Sequence, residues 1–371
     1  SPRSTLDRSS AASDLYKRQM ISRDRLIKTF TEMVQIDSPS GEEEAMAQYV
    51  ISKLEKFGLS VSRDAYGNVI GNDGGEDPIL LSAHLDTVEP GRGIKPIING
   101  DRIVSDGSTI LGGDCKAGVA AILEALESVT EDNTPHRSIE VAFTREEELG
   151  LIGAHNLNFT MLKSDTAIVF DGEGPSSQIT SASPTNFSFD IDIIGRSAHA
   201  GVEPEKGLSA IKISADLISK LPQGRLDEET TFNVGKIEGG STRNTVAEKV
   251  SIQGEFRSRS TETVDNLKLQ ITETINEILE IYPDAVINNE LQIKFQTYTL
   301  TDEDKSTNLV KSALKSMGLE PEMHPSGGGT DGNVFRLNGI SAVVVGCLLY
   351  TSAAADERSS VDLGGRRIIK K

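Results

Sequence analysis

The run ILLSAHLDTVEP, residues 79–90, ends an apolar stretch on His84 and then, two residues on, Asp86. Strand side chains alternate between faces, so an imidazole and a carboxylate two apart emerge together where the strand gives way to a loop. That is how a sheet presents a metal ligand and the carboxylate that orients it. Taken alone, it equally describes a hydrogen-bonded histidine at a strand end. Three other segments aim acidic groups in the same way. LGGDCKAG sets Asp114 at a glycine turn that opens a helix, SIEVAFTREEELG runs a strand into Glu146, Glu147 and Glu148, and DTAIVFDGEG ends a strand on Asp171. Singly these read as an N-cap, a solvated acidic loop and a turn. Together they supply what two divalent ions need to hydrolyse an amide. In that reading His84 ligates one metal, Asp114 bridges, Asp171 completes the first metal's shell, and Glu147 and Glu148 divide the roles of base and ligand.

The elements that must position these groups are legible in the periodicity. RDRLIKTFTEMVQI after Met20 predicts an amphipathic helix, and SPSGEEEAMAQYVISKLEKFG a second, started by Ser38/Ser40 and ended by Gly58. LSVSRDAYGNVIGN alternates like a hairpin, PILLSAHLD is a buried strand, and the Asn-Gly of IKPIINGDRIVSDG marks a tight turn. Strands that deliver polar residues at their C-terminal ends are where open α/β sheets build sites. Near residue 180 the character changes to a β-α-β-β-α-β order: SFDIDIIGRSAHAG, GLSAIKISADLISKL, TTFNVGKIEGG, EKVSIQGEFRSRS and TVDNLKLQITETINEILEIY. This predicts an inserted α+β domain of ferredoxin-like plan. NLVKSALKSMGL and GISAVVVG then return to the first domain. The boundaries expected are 20–180 with 295–346 for the discontinuous α/β catalytic domain, built on a mixed sheet, and 181–294 for the insertion.

Length and composition agree with two soluble domains. The chain has 371 residues, 37% hydrophobic and 25% charged. A formal charge of −18 with no basic stripe argues against a nucleic-acid partner. No apolar run reaches the roughly 18 to 20 residues of a membrane span. Two cysteines, Cys115 and Cys347, make no disulfide framework, and a cytoplasmic location is expected. The segments 9–19 and 347–371 do not continue the patterns beside them and resemble translated sequencing adapter. Residues 1–19 and 347–371 are therefore expected to be non-native tails.

HLDTV, LGGDCKAG, EEELG, FDGEG, GRSAHAG and GGGTDGNV, in this order and spacing, resemble the zinc-peptidase family that includes peptidase T, carboxypeptidase G and the aminoacylases. Peptidase T-like enzymes are the most similar branch, and the resemblance spans nearly all of 20–346. It implies two zinc ions, with His84, Asp114, Glu148 and Asp171 as ligands, Asp114 bridging, Asp86 orienting His84 and Glu147 as general base. It also implies that the insertion dimerises and that His199 of GRSAHAG reaches a partner subunit's site to stabilise the oxyanion. By the same analogy Asn244 and Arg257 hold substrate; the planar fork of an arginine suits a peptide carboxylate. The loop SGGGTDG, 326–332, brings backbone close to substrate at Gly328, with Asp331 beside it. The expected function is a homodimeric exopeptidase removing the N-terminal residue from small peptides. N-acyl amino-acid deacylase or carboxypeptidase activity is the alternative within the family.

Two positions depart from the pattern. Cys115 stands where peptidase T-like members place a second aspartate. The family takes its last metal ligand from a histidine after the strand ending here in AVVVG, yet no histidine follows His324. A metal on the Glu148 side then lacks its imidazole, so that a catalytically impaired scaffold is a further alternative.

Overall fold

A computed structural model describes residues 21–133, 135–347, 349–350 and 360–362. The expected non-native segment 1–19, and most of 347–371, lie outside the described residues. Contacts divide the chain into two compact units. One runs through Ser181 and includes Leu300–His324 and the chain from Thr330 on; the other comprises Ala182–Thr299 and Pro325–Gly329.

The first unit is built on a mixed sheet. Its strands are β1 (Ser60–Arg63), β2 (Val69–Asn72), β3 (Ile79–His84), β4 (Ile139–Thr144) and β5 (Thr166–Gly172), followed much later by Ser341–Gly346. The spatial order is β1, β2, β4, β3, β5, Ser341–Gly346 and then Gln178–Ser183. The hairpin β1–β2 pairs antiparallel, as its alternation predicts, and β2 continues antiparallel onto β4. At the centre β3 lies parallel between β4 and β5, and Ser341–Gly346 extends the parallel run beyond β5. Central strands buried on both faces are apolar throughout rather than alternating, which is why β4, Ile-Glu-Val-Ala-Phe-Thr, is buried at every position. Because β3 sits between β4 and β5, their C-terminal ends open side by side.

Helices α1 (Arg23–Val34), α2 (Glu44–Lys56) and α3 (Gly113–Glu131) complete the core with Phe30, Met33, Met46, Val50, Leu54, Val119, Ile122 and Leu126. Helix α3 approaches the sheet closely at Gly118, where a Cβ would stand 2.1 Å from the carbonyl oxygen of Phe170 in β5. A side chain there is sterically excluded.

Helix α2 starts later than Ser38/Ser40 suggest. Its N-cap is Glu43, whose side chain makes no capping bond. The Ser38 hydroxyl instead donates to the carbonyl of Leu85 at 2.9 Å, and Ser40 donates to Asp86 Oδ2 at 2.6 Å. Both serines are drawn off by groups beyond β3, a tertiary demand that outranks local capping preference. The Asn-Gly turn forms as expected, joining Ile97–Asn99 to Arg102–Val104. Ser360–Asp362 and Leu349–Tyr350 add to that hairpin.

The second unit is an antiparallel sheet in the order Gly224–Arg225, Thr230–Gly239, Lys249–Ser258, Thr185–Ile194, Val286–Phe295. With Ala210–Lys220 and Thr261–Ile281 as its helices, and the two-residue strand Gly224–Arg225 set aside, the chain order is β-α-β-β-α-β and the plan is ferredoxin-like. Phe189, Ile191, Phe232, Ile252 and Phe256 from the strands meet Ile213, Leu217, Ile271 and Ile278 from the helices in its own core. Pro325–Gly329 counts with this unit because its backbone is held there: Ser183 donates to Gly328 O at 2.8 Å, and Arg257 to Gly327 O at 3.2 Å.

Candidate metal centre

His84 is the last residue of β3 and is wholly buried. Its Nδ1 lies 3.0 Å from the carbonyl oxygen of Asp86 and 3.2 Å from Asp86 Oδ1. Those acceptors leave Nε2 facing Asp114 Oδ1 at 3.2 Å and Asp171 Oδ1 at 3.6 Å. Asp86 thus aims the ring and the ring faces two further carboxylates, as a ligand histidine requires.

Asp114 reaches this point because the chain there is not yet helical. It has φ −85° and ψ 112°, and the Asp114–Cys115 peptide is cis. Asp171 stands near the end of β5 and is buried. One donor atom each from His84, Asp114, Cys115 and Asp171 lies within 4.8 Å of all the others, and the same holds for His84, Glu147 and Glu148.

The glutamates follow β4 on a turn pinned from below. Backbone N–H groups of Glu147 and Glu148 donate to Asp86 Oδ1 and Oδ2 at 3.0 and 3.2 Å. A single carboxylate therefore sets the orientation of His84 and the path of the glutamate turn together. Burial opposes the charge of Asp86, but His84, Ser40 and the Glu147 amide outweigh it and hold the carboxyl below its usual range.

The remaining acids are crowded. Burial, followed by the charge of Asp171, pushes Glu147 well above the ordinary carboxylate range. Burial and the charge of Asp114 push Glu148 up to about 7. For His84, burial works against the charged form, yet Asp171, Asp114 and Asp86 raise the imidazole well above its usual value. So many oxygen donors, buried or half-buried, around one imidazole form an arrangement that added positive charge would relieve. Nitrogen and carboxylate oxygen are the donors zinc prefers, and the residues fit a divalent pair. Cys115 is buried and its thiol donates to Phe170 O at 2.7 Å.

Of the other expected residues, His199, Asn244, Arg257 and Gly328 belong to the second unit. His199 and Asn244 come together on adjacent exposed segments of the second unit, bridged by Ala200 N to Asn244 O at 2.9 Å and by a His199–Thr245 β-bridge. Arg257 is committed within that unit: its guanidinium donates to Glu255 at 3.0 Å and lies over the Phe295 ring. Gly328 sits beside it, its carbonyl held by Ser183.

Asp331 is only 1% exposed and accepts a hydrogen bond from Thr144 at the end of β4, and the charges of His84, Asp171 and Asp86 act on its carboxyl. Burial raises its carboxyl to about 7 although the Thr144 bond acts the other way. Ser40, Thr144, Glu43 and Arg145 were not anticipated as parts of this region. Only the acidic stretch after Ser40 hinted at them, and it reads equally well as a helix start.

Comparison with known proteins matches these features. Residues 183–283 fit the peptidase dimerisation domain, and residues 67–200 fit peptidase family M28. The uncharacterized protein YqjE of Bacillus subtilis is 36% identical over 87% of this chain and 90% of its own length. A tripeptidase from Staphylococcus aureus superposes with a TM-score of 0.84 at 32% identity, covering 93% of this chain and 94% of that one. Aminopeptidase PepT from Bacillus cereus gives 0.78 at 35% identity, covering 92% and 94%. With identities above 30% over nearly the whole of such relatives, this chain belongs to the peptidase T-like family and is a hydrolase acting on peptide bonds.

Proposed function

We propose that the protein is a zinc-dependent exopeptidase that removes the N-terminal residue from short peptides, in the manner of a tripeptide aminopeptidase. The observation that carries the metal-dependent reading is the cluster of buried His84, Glu147 and Asp171 with half-buried Asp114 and Glu148 at the open ends of β3, β4 and β5. The tripeptidase and PepT relatives favour a free N-terminus over an acylated one.

His84, Asp114 and Asp171 would hold one divalent ion, and Glu148 with the bridging Asp114 the other. Bound there, the ions supply Lewis acidity, acidifying a water and polarising the scissile carbonyl. Glu147, buried and fastened through its amide, accepts the proton of the attacking water and returns it to the departing amine. Asp86 keeps His84 in one orientation throughout. His199, exposed on the dimerisation unit, serves the oxyanion in a partner subunit's site, which makes the working form a homodimer. A cytoplasmic setting accords with both described cysteines being free. No helix among the described residues is long and apolar enough to cross a membrane.

A panel of free tripeptides, N-acyl amino acids and C-terminally varied peptides tests the assignment. Release of the N-terminal residue from free tripeptides is expected. Turnover of acylated amino acids with free tripeptides ignored would replace the aminopeptidase reading by a deacylase. Full zinc binding without any turnover would favour an impaired scaffold.

A further inference from the structure

Beneath the glutamate turn lies a buried ion pair with no place in the chemistry above. Glu43 is wholly buried, and its Oε2 accepts from Arg145 Nε at 2.8 Å and Nη2 at 2.7 Å. Its Oε1 accepts from the amides of Gly41 at 2.8 Å and Glu146 at 3.1 Å. Arg145 also donates through Nη1 to Tyr66 O at 3.3 Å, and its amide donates to Asn68 Oδ1 at 3.1 Å. Tyr66 in turn donates its hydroxyl to the Glu146 carboxylate. Glu146 has φ 49°, a left-handed conformation that a side-chain-bearing residue adopts only when its surroundings impose it.

Taken in order, the amides of Glu146, Glu147 and Glu148 all end on buried carboxylates, the first on Glu43 and the next two on Asp86. Glu43 does not cap α2. Its bonds go to Gly41, Arg145 and Glu146, the last two immediately before Glu147. Burying an ion pair costs desolvation that an apolar pair would not, so stability alone is a poor reason for placing one here. Fixing the path of a strained turn is a better one.

We propose that Glu43, acting through Arg145 and the Glu146 amide, is a positioning residue for Glu147 and Glu148. The proposal deepens the peptidase reading and rests on it. Glu43 reaches neither substrate nor metal ligand directly; it determines where the base-bearing turn stands. Supporting groups of this kind typically cost ten- to hundredfold in activity when removed.

The test is E43Q, which keeps the shape and removes the charge, assayed on the substrate panel with kcat and KM separated and zinc content measured per folded molecule. A fall in kcat of about tenfold to hundredfold is expected, with KM within about twofold and any loss of zinc confined to the weaker, Glu148 side. E43D, which keeps the charge, should recover part of the loss. R145K, which keeps a cation without the fork, is the second variant should E43Q fail to fold, and the same split is expected of it. Folded E43Q or R145K with wild-type kcat and only a lower Tm would overturn the proposal. If the wild type cleaves only acylated amino acids, the aminopeptidase reading fails while the Glu43 comparison proceeds on that substrate. A wild type that turns over nothing in the panel overturns both, because no catalysis is then left to position.

Discussion

His84 and the acids around it share one problem, which is charge in a buried place. In metal-free protein the folded state holds protons that the unfolded chain has already released. Glu148, raised from 4.5 to about 7, stabilises fully below its unfolded value, and that stability is lost as pH rises toward 7. Glu147 is raised in the same sense. His84 contributes fully below its unfolded 6.5 and loses that contribution as pH rises through its higher folded value. Asp86 is shifted the other way, and its contribution is lost only at pH values below 3.8. Tm of the chelated protein should therefore fall between about pH 5 and pH 8, and bound zinc should flatten that slope. A chelated protein whose Tm rises across the same window would contradict the charge balance drawn here. The residues of the cluster were legible because each ends or follows an apolar strand or opens a helix. The contact of Asp331 was not legible, because nothing in GGGTDG shows that Thr144, far away in sequence, holds its carboxyl.

At the scale of elements, the convergence of β3, β4 and β5 could be foreseen from their apolar runs and polar ends, and the ferredoxin-like unit from its alternating strands and two amphipathic helices. What could not be foreseen is the strap Ser38–Glu43, whose partners Leu85, Asp86, Arg145 and Glu146 are remote in sequence. A serine before an acidic run reads locally as a cap, and only the folded chain shows that these groups serve other strands. The glutamate turn is confined from above as well. At Gly153 a Cβ would lie 2.0 Å from the carbonyl of Arg145, which accepts the Gly153 amide at 3.0 Å. G153A should cost roughly 1–3 kcal/mol by overpacking. It should also lower activity, because relief comes only by moving the turn. Denaturant unfolding of G153A checks the first part, and wild-type stability would show that the turn has room to spare.

Across the whole molecule, one unit carries the metal cluster and the other matches a dimerisation domain. The two groups of candidate metal donors are unequal. One group of donors gathers His84, Asp114, Cys115 and Asp171 and the other His84, Glu147 and Glu148, so the two share one imidazole and only one of two ions could take it. Zinc titration by calorimetry should resolve a tight and a weaker event, the weaker one removed first by a chelator. Two equal events would mean that a further ligand completes the Glu148 side.

The central claim is that Glu147 moves the proton in a metal-dependent peptide cleavage. Its most direct test compares wild type and E147Q on a free tripeptide before chelation, after it, and after zinc is restored. Wild type should lose turnover on chelation and regain it with zinc, while E147Q should bind zinc yet stay slower by about 10²- to 10⁴-fold. Zinc-loaded E147Q working at the wild-type rate, or a wild type indifferent to chelation, would contradict it.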